Sequence, residues 1–290
     1  MICNICPRLC GAERTETAGT GRCGQPSLPV VARAALHFWE EPCISGTRGS
    51  GTVFFSGCPL GCVFCQNGKI SHEHFGKTIT VARLREIFEE LIALGAHNIN
   101  LVSPTHFALP IRAALEQPLG VPVVWNTGGY ERVETLRSME GKVQIYLPDL
   151  KYADNALAAK YSDAADYFEV ACAAIEEMVR QVGRCEFDED GMLKKGVVIR
   201  HLLLPGGLNN TRAVMDHVAR AFPNGEVMFS LMAQYTPQPG AEGLLKRRVT
   251  KAEIRAAQTY MENVGIVNGY TQDIDSARAE YTPDFDLTGI

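Results

Sequence analysis

Cys58, Cys62 and Cys65 are spaced C-x3-C-x2-C within Ser56-Gly57-Cys58-Pro59-Leu60-Gly61-Cys62-Val63-Phe64-Cys65-Gln66-Asn67. Thiolates are soft ligands that select zinc or iron–sulfur clusters. A structural zinc site takes four protein ligands, and so do ordinary electron-transfer clusters. Three cysteines leave one metal position open to an outside ligand, as in a working site rather than a closed structural one. In a [4Fe–4S] cubane the open position is one iron. Gly57, Pro59 and Gly61 let the backbone wrap closely around such a cluster. The competing reading is three buried free thiols or a partial zinc site. Spacing, the aromatic Phe64 and a position at the end of an expected strand argue together against it.

A second group, Cys3, Cys6, Cys10 and Cys23, is spaced C-x2-C-x3-C-x12-C. Four soft ligands in a short, core-poor stretch suit a structural metal that does part of the folding work. Tetrahedral zinc and a second iron–sulfur cluster both fit, and an unliganded tail is the alternative. Cys43, Cys172 and Cys185 are isolated. Cys172 falls in an apolar helical pattern and reads as packing, whereas Cys43 is a spare ligand candidate. His37, Glu40 and Glu41 precede it in a segment that could line a pocket or be solvated.

The elements that must position these groups follow a regular plan. Six apolar or β-branched runs recur at 53–56, 98–102, 122–125, 143–147, 197–203 and 227–231. Helical patterns separate them, near 107–115, 131–139, 163–182, 210–222 and 250–264. The clearest follows Thr80, an expected N-cap, with Val81, Leu84, Ile87, Phe88 and Leu91 on one face and Gly95 as a stop. Near-continuous apolar strands alternating with helices predict an α/β fold with a parallel sheet, and six units form a partial (β/α)6 TIM-like barrel. In such barrels the working groups sit at the C-terminal ends of the strands. Residues 1–50, rich in Cys, Gly, Pro and Arg, read as a loop-rich extension that binds metal, ahead of a barrel over 51–290.

Of the 290 residues, 46% are hydrophobic and 21% charged, which is ordinary globular composition. The net charge of -5 gives no electrostatic footprint for nucleic acid or an anionic membrane. No apolar run is long enough to span a bilayer, and the first residues lack the features of a secretory signal. The expected location is the cytoplasm, where clustered cysteines read as metal ligands rather than disulfides.

The C-x3-C-x2-C spacing with an aromatic just before the last cysteine resembles the hallmark of the radical S-adenosylmethionine (SAM) superfamily. The resemblance covers about residues 50 to 270 and is nearest to its glycyl-radical activating enzymes. It implies that the open iron is chelated by the methionyl part of SAM, with Phe64 near the adenine. Reduction would then yield a 5′-deoxyadenosyl radical that abstracts hydrogen from a substrate. Trp125-Asn126-Thr127-Gly128-Gly129-Tyr130 and Asp149-Leu150-Lys151 resemble family stretches beside the bound cofactor. They make Asn126, Thr127 and Asp149 cofactor-binding candidates, and place Lys151 near cofactor or substrate as a catalytic candidate. Arg200-His201, ahead of Leu204-Pro205-Gly206-Gly207, resembles a strand and turn near the ribose, and adds Arg200 as a binding candidate and His201 as a catalytic one. Gln234-Tyr235 is placed at the cavity mouth or in closing the barrel. A departure falls after the second strand, where the family's Gly-Gly-Glu is replaced by Ser103-Pro104-Thr105-His106; there Ser103 and Thr105 would contact the methionyl group.

The resemblance implies a reductant such as flavodoxin or ferredoxin. It leaves two substrates open, a glycine of a partner glycyl radical enzyme, or a small molecule or peptide. A non-enzymatic iron–sulfur electron carrier is the alternative of another class, and the open iron argues against it.

Overall fold

The protein was analysed as a computed structural model that describes residues 2–272 and 283–290. After the cysteine-bearing start come β1 (Val30–His37), α1 (Pro42–Ser45), β2 (Ser50–Phe55), α2 (Gly68–Ser71), β3 (Lys77–Thr78), α3 (Val81–Ala93), β4 (Ile99–Val102), α4 (Ala108–Ala114) and β5 (Val123–Thr127). The second half holds α5 (Val133–Ser138), β6 (Ile145–Pro148), α6 (Asn155–Ser162), α7 (Tyr167–Val182), β7 (Glu186–Phe187), β8 (Leu193–Leu202), α8 (Leu208–Ala221), β9 (Met228–Met232), α9 (Lys251–Asn263) and β10 (Gly269–Thr271).

The six expected strands are β2, β4, β5, β6, β8 and β9. They lie side by side in that order, all parallel, with Val53 beside Leu101, Leu101 beside Trp125 and Trp125 beside Tyr146. The sheet is unclosed: β10 adds a further parallel strand at one edge, and antiparallel β1 and β3 end the other. This is the partial barrel expected from the pattern of the sequence.

Two expectations need correction. The stretch 1–50 is not loop throughout, because β1 pairs with β2 along its length. Its Ala-rich run, Val-Val-Ala-Arg-Ala-Ala-Leu-His, carries little intrinsic strand signal. The helix expected over 163–182 starts at Tyr167. Asp154 caps α6 by accepting from the backbone of Ala156 and Leu157, and Asp163 ends it in a left-handed conformation at φ 49°.

Local chemistry explains the helices that the pattern did reveal. Thr80 caps α3 by accepting from the Arg83 amide, and Leu84, Ile87, Phe88 and Leu91 are buried. Thr250 and Glu253 form a reciprocal capping box at the start of α9.

Strand alternation gives the sheet two unlike faces. Leu101, Trp125, Tyr146, Ile199 and Phe229 point toward the helices and join the main core, each contributing roughly 1.5–3 kcal/mol on full burial. On the concave face Val124, Ile145, Leu147 and Val198 pack instead around Cys43 and Ile44 of α1. That short helix plugs the concave side. The Asn98 amide donates to the Ile44 carbonyl at 2.7 Å, and Ser50 donates to Asn98. Further along the same face the alternate positions turn polar, at Asn100, Asn126, Asp149, Arg200 and Ser230.

Candidate active site

The loop after β2 brings Cys58, Cys62 and Cys65 to the wall of one cavity of about 210 Å³. Gly57, at φ +79°, lets the N-terminal segment press against the loop: a Cβ there would lie 2.4 Å from the Gln25 side chain and 2.8 Å from the Cys23 carbonyl. The Cys65 amide donates to the Cys62 carbonyl, and Ser162 donates to the Cys62 sulfur at 2.9 Å. Phe64 is buried with its ring edge-on to Tyr152 and Tyr161. Burial pushes all three thiols up, while the Lys151 ammonium pulls each the other way. Among the described residues no three His, Cys, Asp or Glu side chains form a ready-made metal-ion site. Three soft donors on the wall of one cavity nonetheless have the chemistry that would suit a cluster with one open iron.

The cavity floor is a buried charge network. Arg200 uses all three of its nitrogens, donating to Asp149 Oδ1 at 2.9 Å, Glu40 Oε2 at 3.1 Å and Asn126 Oδ1 at 2.6 Å. Glu40 also accepts from Asn126 and Asn100, and Lys151 donates to the second oxygen of Asp149. Burial opposes the charge on Asp149, yet Arg200 and Lys151 hold its carboxyl below the usual range. Burial likewise opposes the charge on Lys151, but Asp149 holds it above its ordinary value, so the ammonium persists at neutral pH. Glu40 is pushed up by burial despite Arg200.

The structure brings most of the sequence candidates together. Phe64, Ser103, Asn126, Thr127, Asp149, Lys151 and Arg200 all line the cavity with the three cysteines, as do Gln234, Tyr235, His37 and Glu40. Ser103 is held at φ +57°, a costly conformation for a residue other than glycine. Gly129 is required where the Thr127-Gly128-Gly129 turn meets β6, since a Cβ would fall 2.1 Å from the Asp149 carbonyl. Thr105 lines a small neighbouring crevice with Cys58 and Ser103.

His201 does not join this group. It sits on the helix-facing side of β8, fully buried, with Nδ1 on the Leu150 carbonyl and Nε2 on the Thr211 hydroxyl. Burial lowers its pKa to about 4. Alternation alone decides this, because Arg200 faces the cavity and its neighbour must face away.

Glu131 is the residue that sequence reasoning missed. Its Oε1 accepts from Thr105 at 2.6 Å, Thr127 at 2.5 Å and the Trp125 indole at 3.1 Å, tying the ends of β4 and β5 together. A Glu at a helix start ordinarily reads as a solvent-facing acid, so only its neighbour Tyr130, buried like it, offered a hint.

The N-terminal cysteines lie apart from the cavity. Cys3, Cys6 and Cys23 are buried and Cys10 is exposed. Burial pushes the Cys6 thiol up to about 12, and Cys23 and Cys3 add to the rise. Arginines clamp this segment to the barrel. Arg8 donates to the carbonyls of Pro59 and Ser162, both at 2.8 Å, and Arg14 to that of His106 at 2.6 Å.

The molecule is an α/β protein with an unclosed parallel barrel and three cysteines in the loop after its first parallel strand. The family model of the radical SAM superfamily matches residues 52–206, more than half of the chain, and the protein belongs to that superfamily. The family implies a [4Fe–4S] cluster and SAM. An uncharacterized protein of Methanocaldococcus jannaschii is 29% identical over 276 residues, 91% of this chain and 75% of that protein. Among solved structures, SuiB of Streptococcus suis shares the fold at a TM-score of 0.54 and 14% identity, over 77% of this chain and 48% of its own. HydG, a maturase of the [FeFe]-hydrogenase, also gives 0.54 and 14%, over 79% of this chain and 53% of its own. The chain spans about half the length of these solved structures. SuiB has been crystallised with SAM and with its precursor peptide SuiA. No helix among the described residues is long and apolar enough to cross a membrane.

Proposed function

We propose that this radical SAM enzyme holds its cluster on Cys58, Cys62 and Cys65 and acts on a polar small molecule or peptide side chain. The observation that carries the reading is one cavity walled by the three cysteines and floored by Glu40, Arg200, Asp149 and Lys151. When bound, the cluster and SAM supply a 5′-deoxyadenosyl radical for hydrogen abstraction. The protein's own part is to bind and orient. Phe64 offers an apolar wall for the adenine, and Ser103, Thr105, Asn126 and Thr127 offer polar groups for the methionyl end. Glu131 fixes the two threonines. Lys151 stays protonated and serves as a fixed cation, not as a base. A charged floor of this kind selects polar functional groups on a substrate.

The second reading, activation of a glycyl radical enzyme, draws its support from the Asp149-Leu150-Lys151 stretch and its place beside the cysteines. A flavodoxin or ferredoxin is the proposed reductant in either case. Cys3, Cys6, Cys10 and Cys23 are proposed to hold a separate zinc ion or iron–sulfur cluster within the 1–50 segment. Their C-x2-C-x3-C-x12-C spacing and the burial of Cys3, Cys6 and Cys23 support this.

Anaerobic reconstitution with iron and sulfide, then dithionite and SAM, tests the main reading by chromatography for 5′-deoxyadenosine. Product formation that vanishes in Cys62→Ala is expected. A reconstituted cluster that yields no 5′-deoxyadenosine would sink the enzyme reading. Incubation with a glycyl radical enzyme, read by electron paramagnetic resonance, separates the two substrate classes.

A further inference from the structure

Beside the cysteine cavity lies a second chamber of about 280 Å³, at the open edge of the barrel between β9, β10 and the segment entering α1. Its walls include Trp39, Glu41, Ser230, Tyr270 and Gln272. Glu40, Arg200, Met232 and Gln234 line both spaces, so the two adjoin across the Glu40–Arg200 pair.

This chamber holds buried hydrogen-bond acceptors. Glu41 is only 8% exposed, yet its Oε2 has no partner among the described residues. The Ser230 hydroxyl is near enough to pull the Glu41 carboxyl down, and the buried Gln272 amide oxygen has no partner among the described residues. Buried polar groups ordinarily find partners, so the Glu41 and Gln272 acceptors on one small space point to a further occupant. The carboxylate and the amide oxygen only accept hydrogen bonds, whereas the hydroxyl both donates and accepts.

The charge count points the same way. Glu40, Glu41 and Asp149 bring three carboxylates to the two cavities, while among the described residues Lys151 and Arg200 are the only lysine or arginine side chains lining either. Arg200 is already spent on Asp149, Glu40 and Asn126, and Lys151 on Asp149. Glu41 is therefore left without an ion pair of its own among the described residues, and burial pushes its carboxyl up against the more distant pull of Arg200. Trp39 and Tyr270 add aromatic wall, which suits an organic cation better than a hydrated metal ion.

We propose that this chamber anchors the substrate by a primary alkylammonium group, held by Glu41 with Ser230 and Gln272 as further acceptors. The substrate is then an amine whose carbon chain crosses the Glu40–Arg200 pair toward the cysteine cavity. This deepens the proposed reaction and rests on it for the word substrate.

The test uses the full chain, anaerobically reconstituted, with butylamine as the probe. Titration calorimetry and the thermal midpoint are followed in parallel, with 1-butanol and potassium chloride as controls. Butylamine is expected to bind saturably and raise the midpoint, whereas 1-butanol and potassium do neither. Glu41→Gln should weaken butylamine at least about tenfold, equivalent to one ion-paired contact. It should also raise the midpoint of the amine-free protein, because an unpaired buried charge has been removed. Ser230→Ala provides a second variant, with a smaller loss of binding. Equal butylamine affinity in Glu41→Gln, or an equal response to potassium, overturns the proposal. The 5′-deoxyadenosine assay on the wild type is scored separately. Amine binding without that product would defeat the radical reading and leave the chamber, and product without amine binding would do the reverse.

Discussion

The two faces of the central sheet are built from the same strands and do opposite work. On β8, Ile199 and His201 face the helices while Val198 and Arg200 face the concave side; on β5, Trp125 is set against Asn126. The helix-facing side is apolar and self-sufficient, and even its histidine is fully satisfied. The concave side is apolar only where α1 plugs it; beyond that it gathers charge. Stability and chemistry are thus divided between residues adjacent in sequence, so mutations one position apart should have unlike consequences.

The largest effect belongs to the concave side. Cys58→Ala should bring 5′-deoxyadenosine formation to background while the thermal midpoint before reconstitution stays near that of the wild type; a variant that keeps cleaving SAM would break the division at its centre. Arg200→Ala comes next, because it strands Glu40 and Asp149 without their shared cation. It should lose about 3–5 kcal/mol of stability in denaturant titration together with activity. Lysine at 200 should not rescue it, since one ammonium cannot reach three acceptors in a fork.

On the other face, His201→Leu should cost about 1–3 kcal/mol, the toll of leaving the Leu150 carbonyl and the Thr211 hydroxyl without a partner. Cofactor cleavage per folded molecule should not change. The same histidine predicts a pH response. Its folded pKa of about 4 lies below the ordinary 6.5, so between those values the unfolded chain binds a proton that the native protein excludes. Stability is therefore full above pH 6.5 and falls as pH drops toward 4. His106, lowered by burial to about 3, adds to the loss. Urea midpoints from pH 7 to 4.5 should fall less steeply in His201→Leu than in the wild type. The smallest effect is expected at Thr80→Ala, about 1 kcal/mol from the lost cap of α3, with no effect on either face.

What could be read in advance follows the range over which each signal acts. The cysteine loop stood out because three cysteines within eight residues form a local pattern, and the six parallel strands were legible as short apolar runs. Asn126, Thr127, Asp149, Lys151 and Arg200 were reached through strand-end position, and they do meet. His201 was misplaced because a buried strand apolar on both faces gives no cue as to which side looks inward. Glu131 escaped because one of its donors, Thr105, lies 26 positions away in the turn after β4, beyond the reach of a local pattern. β1 escaped because alanine marks strands weakly, and β10 because three residues cannot establish a period.

The plug has a consequence for how the chain reaches its native state. Ile44 packs against residues 80 to 154 positions later, from Val124 to Val198, so α1 cannot be stabilised until most of the sheet exists. Contacts of such wide sequence separation carry a heavy loop-closure cost and form late. The concave side should therefore be the last part to set during refolding, and the first to admit solvent in hydrogen exchange.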